Sequence, residues 1–96
     1  MVDEQRFEVT LQDCTGVSEE LKAKAEARFA KALWRCFPNQ EAMTEAYKIY
    51  TDAAEGGIIS KAQERLAHAW VKACDTARQA GFRDIAVEEA YFEVRM

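Results

Sequence analysis

Tyr91-Phe92-Glu93-Val94-Arg95, close to the end of a 96-residue chain, decides the fold. Phe92, Val94 and Met96 alternate with Tyr91, Glu93 and Arg95, the two-residue period of a strand with one buried face. The preceding Ile85 and Val87 have the opposite parity, so residues 84–94 also fit a fourth helix. A bulge or tight turn at Glu88-Glu89 reconciles the parity with a strand, and the strand is the expected form. Its counterpart is Arg6-Phe7-Glu8-Val9-Thr10 near the start. Over residues 5–12, Phe7, Val9 and Leu11 share one face, with Glu8, Thr10 and Gln12 on the other. The two ends are therefore expected to meet in one sheet.

Three helical stretches lie between them. After a turn at Asp13-Cys14-Thr15-Gly16, Ser18 reads as an N-cap, and Glu19 and Glu20 suit the positive end of the helix dipole. This helix should run to about Cys36, because Pro38 disfavours helical geometry at Phe37. Asn39 caps a second helix that stops near Glu55, where Gly56-Gly57 supplies a left-handed exit. Ser60 and Gln63 form a capping box for a third, which ends at Gly81.

Each helix carries an apolar stripe. On the second, Met43, Ala46, Ile49 and Tyr50 share a face; on the third, Ala62, Leu66, Trp70, Ala73, Cys74 and Ala77 do. The first is broader. Its main stripe of Ala25, Phe29, Leu33 and Cys36 adjoins a second face of Ala23, Ala27, Ala30 and Trp34. The expectation is an α+β fold in β-α-α-α-β order, with three amphipathic helices on a two- or three-stranded sheet, as one compact domain over residues 1–96.

Strand direction stays open. If the helices alternate down, up, down, the terminal strands run parallel through a right-handed crossover. A skewed second helix makes them antiparallel. Phe7 opposite Val94 would then set Glu8 against Glu93, whereas a two-residue slip brings Arg6 to Glu93 or Glu8 to Arg95. So small a sheet leaves edges that must be covered or recruited by a partner.

Composition narrows the function. The net charge of -4 disfavours loose adhesion to nucleic acid or anionic membrane, and no apolar run is long enough to span a bilayer. Met1-Val2-Asp3-Glu4 is acidic where a secretory signal would be basic, and three irregularly spaced cysteines suit a reducing compartment. A cytoplasmic location follows as an expectation. No zinc-ligand spacing and no cofactor motif stands in the chain. His68 falls on a polar helix face, and Cys36 and Cys74 fall on apolar stripes as small core residues. Cys14 or His68 would have to carry any enzyme chemistry, and no basic group lies close to Cys14 in sequence.

The most specific signal is a basic stripe. Lys24, Arg28, Lys31 and Arg35 recur at four-, three- and four-residue steps along the first helix, with Trp34 nearby. Such a row suits an acidic protein surface, or a phosphate backbone with Trp34 stacking on bases. Its plainest reading is a solvated flank paired with nearby acids. The chain is similar in size and character, though in no motif, to small acidic proteins of phages and mobile elements that bind and block another protein. The reading is a non-enzymatic protein-binding or regulatory module that self-associates as a dimer. The sheet edge and the face of Lys24, Arg28, Lys31, Trp34 and Arg35 are its expected docking surfaces. A nucleic-acid binder using the same stripe is the alternative.

Overall fold

Five elements follow in the order β1 (Glu8–Gln12), α1 (Glu19–Arg35), α2 (Gln40–Ala54), α3 (Lys61–Gly81) and β2 (Tyr91–Arg95). They belong to a computed structural model that describes residues 7–12, 15–85 and 90–96. Arg6, the expected turn at Asp13-Cys14 and the bulge at Glu88-Glu89 lie outside those residues. The α+β architecture and the terminal strand both stand.

Caps place every helix start. Ser18 Oγ accepts the Leu21 N–H at 3.2 Å, and Asn39 Oδ1 accepts that of Ala42 at 2.8 Å. Ser60 and Gln63 bond reciprocally, at 3.2 and 3.0 Å. At the end of α2, Gly56 takes φ +91°; its N–H reaches the Ala53 carbonyl, while that of Gly57 reaches Asp52. That pair of bonds is a Schellman motif, and the positive φ is why a glycine stands there.

The helix path explains the strand direction. The middle of α1 meets the end of α3: Gly81 faces the Ala25 carbonyl, and Arg28 is bonded to Asp84 just beyond. By Phe37 the chain has reached Trp70 midway along α3, the ring centroids lying 6.1 Å apart. Tyr47 of α2 packs edge-on against the same Trp70 at 5.2 Å. Further on, Tyr50, Ala53 and Ala54 border a groove with Glu64 and Ala67 near the α3 start. Thus α1 and α2 lie end to end along α3, and the break at Pro38 is a bend rather than a reversal. Counting α1 and α2 as one leg, β2 returns antiparallel to β1. The register sets Glu8 opposite Arg95, Val9 opposite Val94 and Leu11 opposite Phe92. This is one of the two slipped registers that avoid the like-charge pair. The parallel alternative fails because simple alternation of three helices treats a bend as a turn.

The core gathers at the junction. Phe7, Phe29, Leu33, Met43, Ala46, Trp70, Ala73 and Ala77 form one buried cluster. Phe92 anchors β2, its ring 4.3 Å from that of Phe29 and 4.8 Å from that of Phe82. The Cα atoms span 42 × 35 × 17 Å, a depth that accommodates two layers.

Three expected core positions lie elsewhere. Cys36 is exposed because α1 ends at Arg35; as the cap it turns back, its N–H bonding the Leu33 carbonyl. Ala62 is exposed in the first turn of α3, beyond the reach of α1, and Tyr50 is 37% exposed.

Candidate functional site

α1 carries its cations on the flank turned toward the end of α3. Arg28, Lys31 and Arg35 there border a crevice of about 170 Å³ with Ala32, Ala80 and Arg83. Small alanines on both helices let them approach, so the long side chains rim the seam instead of filling it. Arg28 Nη2 lies 2.7 Å from Asp84 Oδ2, and its side chain is 25% exposed. Lys31, Arg35 and Arg83 are exposed and make no ion pair among the described residues. Among the described residues four cations thus face one carboxylate, an excess that favours an anionic group in the crevice.

The five expected docking residues separate into two groups. Arg28, Lys31 and Arg35 converge as expected, and Lys24 is exposed farther toward the start of α1 without lining the crevice. Trp34 is elsewhere. Half-buried, it stacks nearly parallel on Phe7, with ring centroids 6.4 Å apart and an interplanar angle of 5°. It therefore belongs to the sheet side of α1, while Arg28 belongs to the α3 side. Arg83 is the residue that sequence reasoning missed. It follows Phe82, the cap of α3, outside any helical period. Only the antiparallel packing of α1 on α3 brings it to the stripe.

The remaining chemical groups do not assemble. His68 is exposed with Lys61, Glu64 and Arg65 around a shallow depression, and makes no side-chain hydrogen bond among the described residues. Cys74 is half-buried, and its thiol pKa is pushed up from 9.0 to about 12, chiefly by burial and then by the neighbouring Asp75 carboxylate. That thiol stays protonated at neutral pH and is a poor nucleophile. Cys14 lies outside the described residues. Among the described residues no three His, Cys, Asp or Glu side chains gather as metal ligands, and no helix is long and apolar enough to cross a membrane.

The sheet edges differ. The Leu11 N–H of β1 is taken by Glu26 Oε2 of α1 at 2.8 Å, so α1 covers that edge. On the outer face, Glu93 accepts from Gln12 at 2.9 Å and from Arg95 at 2.6 Å. Among the described residues no side chain bonds the β2 backbone. Compared with known proteins, the chain matches no family, no curated protein and no solved structure.

Proposed function

We propose that this protein is a non-enzymatic binding module that captures an acidic protein segment in the crevice between α1 and α3 and self-associates. One observation carries the reading: Arg28, Lys31 and Arg35 of α1 and Arg83 just after α3 converge on a seam that, among the described residues, only Asp84 opposes. Arginine suits the task, since its planar fork takes carboxylates bidentately and sheds water more readily than lysine. Arg28, held by Asp84, is the fixed part; Lys31, Arg35 and Arg83 supply the free charge. The net charge of -4 sets a repulsive background, so an acidic partner is held only where this local excess outweighs it. The same background limits long duplex tracks. Trp34, turned toward Phe7, does not stand beside the cations as a base-stacking platform would.

Titration of a labelled polyglutamate peptide, alongside a labelled single-stranded DNA, tests this reading across salt concentrations. Polyglutamate should bind, weaken with added salt, and be lost in Arg35→Glu/Arg83→Glu. Arg28 is left intact because its loss would strand Asp84. DNA binding tighter than peptide binding, with a steep salt slope, supports the nucleic-acid alternative instead. Absence of binding to either probe refutes both.

A further inference from the structure

We infer that the outer half of the α2–α3 pair is an arm by which two copies of this chain dimerise, each covering the other's groove. The inference rests on the self-association in the reading above and says where it occurs. Met43 and Ala46 belong to the main core, but past Tyr47 the end of α2 faces the start of α3 across a groove away from that core. Two helices alone cannot bury their apolar positions. Here Tyr50 and Val71 are 37% and 44% exposed, and with Ala53, Ala54, Ile59 and Ala67 they border an open, mainly apolar groove of about 460 Å³ whose lining also includes Glu64 and His68.

Beside the groove stands Ile58, fully exposed at 101%. It is not a loose tip. The Gly56 and Gly57 N–H groups bond back to Ala53 and Asp52, and the capping box at Ser60 fixes the other side. A Schellman motif commonly carries a hydrophobic contact back onto its helix; here the C″ residue is Gly57, and the next apolar residue points to solvent. Knob and groove on one tip form a self-complementary patch, as an interface with two-fold symmetry requires.

The charges point to the same occupant. Asp52 and Glu55 sit at the C-terminal end of α2, and Lys61 and Arg65 near the start of α3; the first three stand on the helix end that their sign disfavours. All four are exposed, and none is ion-paired among the described residues. A two-fold axis near Ile58 sets α2 of one copy over α3 of the other, bringing acids to bases twice. The sheet edge is the weaker place for a second copy. Strands lie about 4.8 Å apart, whereas packed helices need 8–10 Å, so α1 and α3 overhang a two-stranded sheet and would collide with a partner's pair.

Sedimentation velocity over a concentration series tests the arm. The native chain should dimerise, and Ile58→Asp should weaken the dimer by about two orders of magnitude or more while leaving the melting of the monomer unchanged. Two repelling variants, Asp52→Lys/Glu55→Lys and Lys61→Glu/Arg65→Glu, should each be monomeric and should pair when mixed. A native chain that stays monomeric throughout overturns both the arm and the self-association. A dimer that survives Ile58→Asp, or charge variants that fail to pair on mixing, overturns the arm alone.

Discussion

Replacing Gly81 by alanine tests how tightly β2 is seated on the helices. Gly81 closes α3, where alanine is ordinarily the better helix former by up to about 1 kcal/mol. Against that gain stands a collision. A Cβ at this position would lie 2.6 Å from Phe92 Cζ, 2.8 Å from Cε2 and 3.2 Å from the Ala25 carbonyl oxygen, where ordinary contact begins at 3.4 Å. The ring would have to retreat by most of an ångström. Phe29 and Phe82 hold it at centroid distances of 4.3 and 4.8 Å, and β2 is tied to β1 through Leu11 opposite Phe92. Overpacking costs about 1–3 kcal/mol, and two contacts below 3.0 Å to a ring held on both sides place this case at about 2–3 kcal/mol, which leaves a net loss of roughly 1–2 kcal/mol after the helix gain. For a domain of this size that is a fall of roughly 4–16 °C in melting temperature, measurable by circular dichroism. Phe92→Leu should cost stability alone yet recover part of the loss when combined with Gly81→Ala, a favourable coupling in a double-mutant cycle. A Gly81→Ala protein as stable as the native chain would refute the close seating of Phe92 on α3.

Other expectations follow from the same packing. Glu26→Ala leaves the Leu11 N–H without its acceptor and should cost about 1–3 kcal/mol in urea denaturation, with Gln restoring most of it through its carbonyl oxygen. Leu33, wholly buried where α1 meets the core, should lose about 3–5 kcal/mol on replacement by alanine, the largest single effect among these substitutions. Exposed Cys36 should react with a thiol reagent faster than half-buried Cys74, whose rate should rise on unfolding; equal native-state rates would contradict the partial burial and raised pKa of Cys74. The thiol of Cys74 binds its proton more tightly folded than unfolded. Its stabilising contribution is therefore full below the ordinary thiol value of 9.0 and is lost as pH rises from there toward about 12, which an alkaline denaturation series of native and Cys74→Ala proteins would resolve.

Local chemistry made most of the elements readable. Ser18, Asn39 and the Ser60–Gln63 pair mark the helix starts because a cap satisfies backbone groups within three residues of itself. Alternation made the strands readable for the same local reason. The basic stripe was legible as a row because Arg28, Lys31 and Arg35 repeat with the helix period, but its partner Arg83 was not. Nothing near Arg83 in sequence refers to α1, and its placement depends on two helices packing antiparallel. Trp34 misled for a related reason: a wheel gives its angle on α1 without saying that Phe7 of the sheet occupies that side.

Direction after a helix break is the part that local signals do not carry. Pro38 stops α1, and Asn39 restarts α2, yet neither says whether the chain turns back. That is decided by α3, whose 21 residues are about 30 Å long and carry apolar positions from Leu66 to Gly81. Neither α1 nor α2, at 17 and 15 residues, could cover it alone once the sheet claims part of α1. Laying them in sequence along α3, with Phe37 and Tyr47 closing on Trp70 at the joint, covers more of the stripe than folding one back on the other. The same solution turns β2 antiparallel, moves Arg83 beside the α1 cations, and leaves the outer ends of α2 and α3 beyond the cover of the sheet. Fold direction, basic crevice and uncovered arm are thus three consequences of one long helix being spanned by two shorter ones.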